Sequence, residues 1–122
     1  MASMVKKLDK QWSELVKIRA GNKCEVCGKT REQTQLNSHH IIGRTNRNTR
    51  WDLRNGCSLC VQHHKFGKQS AHEDYVWFDE WLKKYRKEDL EYLNGIKNTI
   101  KKWLPSEKQE LIEEFNLMLK EQ

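Results

Sequence analysis

The sequence lacks the segments that mark membrane and secreted proteins. It contains no apolar run near the roughly 18 residues that a transmembrane helix needs. Its first residues lack the charged and then apolar pattern of a signal peptide. It also lacks internal repeats and low-complexity segments. We therefore expect an intracellular, cytoplasmic protein that makes no contact with a membrane.

Hydrophobic residues are scarce as well. They make up 36% of the 122 residues, whereas charged residues make up 33%. A chain of this length has the size of one domain with a small core. We expect a single domain over residues 1–122, which excludes a multidomain enzyme.

Cysteine and histidine are absent before residue 24 and after residue 72. All four cysteines and all five histidines lie between these positions. They are Cys24, Cys27, His39, His40, Cys57, Cys60, His63, His64 and His72. Such a concentration of metal-ligand residue types indicates a metal-binding segment.

Charge is divided unevenly along the chain. Residues 1–72 contain 14 Lys and Arg but only 5 Asp and Glu, whereas residues 73–122 contain 9 basic and 12 acidic residues. A basic half that also carries the cysteines and histidines indicates a polyanionic partner, most often nucleic acid. A solvated basic face is the alternative.

The hydrophobic pattern predicts an α+β fold. Apolar residues at helical spacing predict an N-terminal helix over 4–21. Next come a strand over 35–42, a polar loop over 43–50, a second strand within 51–59 and a short helix from near Cys60. Three apolar stripes predict helices in a C-terminal extension, residues 73–122: over 75–85, over 90–104, and after Pro105, where Ser106 and Gln109 fit a capping box.

The cysteine spacing favours a zinc site. Four cysteines permit three disulfide pairings, but the two-residue gaps in Cys24-x-x-Cys27 and Cys60-x-x-His63 suit ligands of one tetrahedral Zn²⁺. We favour these four residues as structural zinc ligands. A four-cysteine set with Cys57 in place of His63 is the rival, although Cys57 lies in the predicted second strand, where a cysteine packs as a small apolar residue.

Three short motifs, in order, carry a family resemblance. They are SHHII at residues 38–42, Asn55, and LCxxHH at residues 59–64. Together with the Cys-x-x-Cys pair, this series resembles the HNH endonuclease family of the ββα-metal superfamily. It is most similar to small phage-encoded members, which also carry the RWD found here at residues 50–52. The resemblance covers residues 24–64 and implies a zinc-stapled ββα-metal core over 22–72.

The resemblance also implies residue roles. His40 would be the general base, and Asn55 would hold the hairpin loop and orient that base. His39 and His64 would bind a catalytic divalent ion, which could be Mg²⁺, Mn²⁺ or another transition ion. One departure is visible, because His63 stands where the family usually has its fourth zinc cysteine.

The role of His72 stays open at this point. Eight residues of continuous helix after His64 would place it about 12 Å away along the axis. His72 could share an ion with His64 only if the helix breaks after Gly67 or near Ser70. The sequence is compatible with two roles for His72. It is either a metal ligand or phosphate contact, or a residue without a functional role.

Arginines in and beside the hairpin loop are candidates for phosphate contacts. They are Arg44, Arg47, Arg50 and Arg54. The guanidinium fork matches phosphate oxygens bidentately. We expect Arg44 to contribute first, because it follows the histidine strand most closely.

The expected function is metal-dependent hydrolysis of DNA phosphodiester bonds, by nicking or double-strand cleavage. A neutral histidine can accept a proton from water near pH 7, and a divalent ion can neutralise phosphate charge. The alternative is a non-catalytic zinc-containing DNA-binding or accessory module. As a phage protein it would act in the bacterial host, where a phage DNA-processing protein is a potential partner for the acidic C-terminal helices.

Overall fold

The computed structural model describes residues 2–122 and confirms an α+β fold. The helices are α1 (Ala2–Arg19), α2 (Tyr75–Tyr85), α3 (Lys87–Ile96) and α4 (Pro105–Lys120). The strands are β1 (Leu36–His40) and β2 (Gly56–Cys60). No helix in this part of the chain is both long enough and apolar enough to cross a membrane.

The two strands form an antiparallel hairpin between α1 and α2. The register pairs Leu36 with Cys60 and His40 with Gly56. Because side chains alternate along a strand, β1 sends neighbouring residues to opposite sides. The Ser38 hydroxyl donates to the Ser13 carbonyl of α1 at 2.6 Å, whereas the His39 ring meets Phe78 of α2 edge-on. The hairpin therefore presents one face to each helix.

Apolar residues collect in two clusters, one on each side of the hairpin. Against α2, the buried members are Cys24, Leu36, Cys57, Leu59, Cys60, Ala71, Phe78 and Leu82. Against α1 and α4, they are Leu8, Trp12, Leu15, Val16, Trp51, Ile112 and Phe115. With only small clusters on each side, the fold has a limited apolar core, as the composition indicates.

The C-terminal helices differ in their bounds from the sequence prediction. The predicted helix over 90–104 is wrong beyond Ile96, and Ile100 is fully exposed. The capping box of Ser106 and Gln109 is also wrong. Helix α4 begins at Pro105, and the Glu107 carboxylate accepts a hydrogen bond from the Leu104 N–H at 3.0 Å. Proline favours the first helical position, so the helix begins two residues earlier than the capping box predicts.

Gly56 is the position where α1 approaches β2 most closely. A Cβ atom built there would lie 2.2 Å from Cγ2 of Val16. We expect Gly56→Ala to lower the free energy of unfolding by about 1–3 kcal/mol, because the added methyl overpacks the contact. Urea unfolding of Gly56→Ala, Val16→Ala and the double variant would measure this. The double variant should lose less than the sum of the single losses, and simple additivity would contradict the close contact.

Candidate metal centres

Four side chains from three separate segments converge to form the Cys₃His cluster. Its members are Cys24, Cys27, Cys60 and His63, whose ligand atoms all lie within 4.8 Å of one another. The Sγ atoms of Cys27 and Cys60 are 3.8 Å apart, and Nδ1 of His63 lies 3.2 Å from Sγ of Cys60 and 3.9 Å from Sγ of Cys24. A tetrahedral zinc places sulfur atoms about 3.8 Å apart and sulfur and nitrogen about 3.5 Å apart. This cluster could hold a metal ion such as zinc.

A tight turn supplies the first two cysteines. The Cys24 N–H donates to the Lys29 carbonyl, and the Gly28 N–H donates to the Cys24 carbonyl, both at 2.9 Å. Gly28 has a φ of 78°, which glycine adopts without strain. Burial opposes ionisation of the Cys24 thiol, but hydrogen bonds from nearby backbone N–H groups outweigh burial and lower its pKa. The thiolate is the form of cysteine that binds a metal, so a lowered pKa favours metal binding by Cys24.

Cys57 lies outside this cluster. Its side chain is fully buried in β2, on the side that packs against α2. Burial, followed by the neighbouring Glu25 carboxylate, raises the pKa of the Cys57 thiol well above its usual value. The structure therefore brings together the set with His63 and leaves Cys57 as an apolar core residue.

Three imidazoles form a second group, the three-histidine cluster. It contains His39, His64 and His72, each with a ligand nitrogen within 4.8 Å of the other two. The Nε2 atoms of His64 and His72 are 3.1 Å apart. Three nitrogen ligands that leave further positions open are typical of catalytic transition-metal sites.

A single π-helical turn brings His72 to this cluster. The turn spans Gln62–Phe66 and ends where the Gly67 N–H donates to the Gln62 carbonyl at 2.7 Å. The chain then folds back, and the His72 N–H donates to the His64 carbonyl at 3.1 Å. The helix therefore breaks at Gly67, one of the two places where a break would let His72 join His64.

Burial favours the neutral form of two histidines of this cluster. Burial, with help from the nearby rings of His64 and His72, lowers the pKa of His39 to about 3. Burial, followed by His72, lowers the pKa of His64 to about 4. Within residues 2–122, the buried Nδ1 atom of His64 has no hydrogen-bond partner, whereas its Nε2 faces His72. Neutral imidazole is the form that binds metal ions.

His40 lies on the opposite face of β1 from His39 and outside the three-histidine cluster. Its ring stacks on Trp12 with centroids 3.8 Å apart and planes 7° from parallel. Its Nε2 lies 3.0 Å from the Arg50 carbonyl, which can only accept, so Nε2 carries the proton and Nδ1 keeps a lone pair. Burial lowers the pKa of His40 below its usual value. His40 is thus a neutral imidazole with Nδ1 as the proton acceptor.

Asn55 closes the hairpin loop, residues 43–54. It is fully buried. Its amide oxygen accepts from the Ile42 N–H at 2.8 Å, and its amide nitrogen donates to the carbonyls of Ile42 and Thr49 at 2.9 and 3.0 Å. These bonds fix both ends of the loop directly after His40. The geometry matches the loop-holding role that the resemblance implies for this residue.

The structure separates the four loop arginines into two pairs. Arg50 forms a bidentate ion pair with Asp9 at 2.8 and 3.1 Å, and Arg54 binds Asp89 at 2.7 Å. These two guanidinium groups hold the loop to α1 and α3. Arg44 and Arg47 are exposed, so the prediction of phosphate contacts now depends on them.

Sequence reasoning missed two α1 residues beside His40. Trp12 stacks on the ring, and Asp9 holds Arg50, whose carbonyl accepts from His40. The helical pattern predicts Trp12 as a core residue of α1, but it does not indicate that Asp9 contacts the hairpin loop. Only the docking of α1 on the hairpin reveals either contact.

Comparison with known proteins adds no family assignment. The chain matches no protein-family model, no curated protein and no solved structure. Its function therefore has to be inferred from the two clusters and the residues around them.

Proposed function

We propose that the protein is a metal-dependent endonuclease of the HNH type that hydrolyses DNA phosphodiester bonds. One observation carries the proposal: the adjacent residues His39 and His40 end β1 with different chemical roles. His39 joins the imidazoles of His64 and His72 in a potential metal site. His40 is held with Nδ1 as a proton acceptor. A metal ion and a general base are the minimal equipment for phosphodiester hydrolysis, and here the groups that would supply them lie on opposite faces of β1, so a substrate would have to reach both across the end of the strand.

Zinc in the Cys₃His cluster would have a structural role. The four ligands match the sulfur and nitrogen donor set that zinc prefers, and they leave no position open for substrate. The cluster joins the turn after α1, the end of β2 and the π-helical turn. Bound zinc would therefore fix the π-helical turn that carries His64.

His39, His64 and His72 would hold the catalytic ion. A divalent ion bound there supplies charge neutralisation at the scissile phosphate and at the leaving oxygen. Three imidazoles suit a transition ion better than Mg²⁺, which prefers oxygen ligands. This donor set narrows the choice of ion that the sequence leaves open.

The residues around His40 account for the proton transfer. Nδ1 of His40 takes a proton from water, and the water oxygen forms a bond to phosphorus. The family resemblance implies a 5′-phosphate and a 3′-hydroxyl as products, so the bond between phosphorus and the 3′-oxygen breaks. The leaving 3′-oxygen takes up a proton from solvent water. The Arg50 carbonyl and the Trp12 ring stabilise the imidazolium that forms.

Metal dependence tests the proposal. Zinc-loaded protein should cleave supercoiled plasmid at lower concentrations of Mn²⁺, Co²⁺ or Ni²⁺ than of Mg²⁺. We expect His72→Ala to raise the required concentration of transition ion by about tenfold or more, because a lost ligand costs at least as much as a lost supporting hydrogen bond. Agarose gels over an ion titration would measure both effects.

Glu73→Ala is the matched control, because Glu73 is an exposed neighbour of His72 outside the cluster. Its ion requirement should equal that of the parent protein. An unchanged requirement in His72→Ala would contradict the three-histidine site. Intact plasmid with every ion, from folded and zinc-loaded protein, would contradict the enzyme proposal itself.

A further inference from the structure

A groove with a basic lining lies where the hairpin loop meets α1, α4 and the linker between α3 and α4. Its volume is about 320 Å³. Its lining residues are Val5, Arg47, Arg50, Trp51, Lys102, Trp103 and Lys108. No acidic side chain lines it. We call it the basic groove.

The linker between α3 and α4, residues 97–104, forms one wall of the basic groove. The Asn46 amide donates to the Lys97 carbonyl at 2.7 Å, and the Asn48 amide donates to the Thr99 carbonyl. The Trp103 indole donates to the Arg47 carbonyl at 2.9 Å. Contacts from three loop residues therefore fix this linker on the loop. They place the lysines of the linker beside the loop arginines.

Lys108 faces the groove without an anionic partner. Its side chain lines the groove, and its stem is largely covered, since the residue is 8% exposed. Within residues 2–122, no carboxylate lies within 4.0 Å of its ammonium group. Lys108 also lies near the N-terminal end of α4, where the helix dipole disfavours a positive charge. An anion that enters the groove would therefore meet an ammonium group that no carboxylate neutralises.

The nearby carboxylates are engaged elsewhere. Asp9 neutralises Arg50, and Glu107 pairs with Lys101 at 3.1 Å. Arg47 and Lys102 are exposed, and with Lys108 they leave three cationic side chains facing one groove. The net charge of residues 73–122 is negative, but the linker at 97–104 contains three lysines, at positions 97, 101 and 102, and no acidic residue. The groove therefore selects an anion.

We propose that the basic groove is a second phosphate-binding site, which holds the nucleic-acid backbone beside the bond that is cut. The proposal rests on the proposed nuclease function. Arg50 links the two places, because its side chain lines the groove and its carbonyl accepts the hydrogen bond from His40. Phosphate contacts of this kind position a nucleic acid without reading its sequence.

Binding of a fluorescein-labelled DNA duplex to protein in the His40→Ala background tests the site. Lys108→Met keeps the apolar stem and removes the charge. We expect it to weaken duplex binding about tenfold at low salt, as for the loss of one hydrogen bond to a charged group. The slope of log affinity against log salt should fall in magnitude by about 0.9, the value for one phosphate contact. The melting temperature without DNA should stay close to that of the parent, because methionine keeps the apolar contacts of the lysine stem.

Lys120→Met is the control, because it removes one exposed lysine from the other end of the same helix. It should leave the salt slope unchanged. Lys102→Gln changes an exposed residue of the groove, and it should lower the slope as Lys108→Met does. An unchanged slope in Lys102→Gln and in folded Lys108→Met would overturn the proposal. A second result would also overturn it. If inorganic phosphate stabilised the parent but not Lys108→Met, and both proteins bound the duplex with equal affinity, the groove would bind a small anion and not a nucleic acid.

Cleavage by the parent protein is scored separately from binding. If plasmid stays intact but Lys108→Met still loses duplex affinity, the nuclease proposal fails and the groove remains a nucleic-acid contact. If plasmid is cut and both groove variants bind like the parent, the groove proposal alone fails.

Discussion

Replacing His40 by alanine should lower the rate of plasmid cleavage by a factor of about 10²–10⁴, the usual contribution of general acid–base catalysis. The variant removes the imidazole whose Nδ1 would take the proton from water. Zinc content and far-ultraviolet circular dichroism should stay those of the parent, because the Cys₃His cluster and both apolar clusters exclude His40. Initial rates on supercoiled plasmid with saturating Mn²⁺ would measure the effect.

A control on the same part of the chain isolates the chemical effect. Gln35 is exposed and directly precedes β1, so Gln35→Ala should cleave at the parental rate. A His40→Ala protein that cleaves like the parent would remove the general base from the mechanism. A parent that binds duplex but cleaves nothing would favour a non-catalytic zinc-containing DNA-binding module.

Replacing Cys27 by alanine should unfold the protein. Cys27 is exposed, so truncation removes little apolar packing. It does remove one of the four side chains that could hold zinc, and structural zinc contributes about 10–16 kcal/mol in small zinc domains. That contribution equals or exceeds the total stability of a typical domain, about 5–15 kcal/mol. Thermal unfolding, with zinc measured by a colorimetric chelator, would show loss of both the transition and the bound metal.

Cys57→Ala is the matched control for this result. Cys57 is fully buried, so its truncation leaves a small cavity and should cost about 1–3 kcal/mol. The variant should still bind one zinc ion for each chain. If Cys57→Ala lost its zinc while His63→Ala kept it, the four-cysteine set would replace the Cys₃His cluster. An unchanged unfolding transition in Cys27→Ala would contradict both sets, because both include Cys27.

The sequence predicts the Cys₃His cluster well because the determinants are local. Two-residue gaps fix the ligands in pairs, and a hairpin between the pairs brings them together. The α+β class and both strands likewise follow from short hydrophobic patterns. The strand over 35–42 is shorter than predicted because β1 ends at His40, where Asn55 begins to bind the loop backbone.

Longer-range features could not be predicted in the same way. No residue spacing indicates the π-helical turn, in which each backbone hydrogen bond spans one residue more than in an α-helix. The stacking of Trp12 on His40 depends on how α1 docks, and the sequence pattern fixes only which face of α1 is apolar. The sequence predicts helix in the linker at 97–104 because its apolar residues continue the stripe of α3. The structure has turn and irregular backbone there, and hydrogen bonds from Asn46 and Asn48 hold this segment on the hairpin loop.

The π-helical turn assigns two adjacent residues to different metal clusters, with His63 in one and His64 in the other. A chelator should therefore inactivate the protein on two timescales. The three-histidine cluster includes the exposed His72, so its ion should leave quickly and activity should return when the ion is restored. The Cys₃His cluster includes the buried Cys24 and Cys60, so its zinc should leave slowly and the chain should then unfold. Brief and prolonged dialysis would consequently yield two distinct inactive states of one protein.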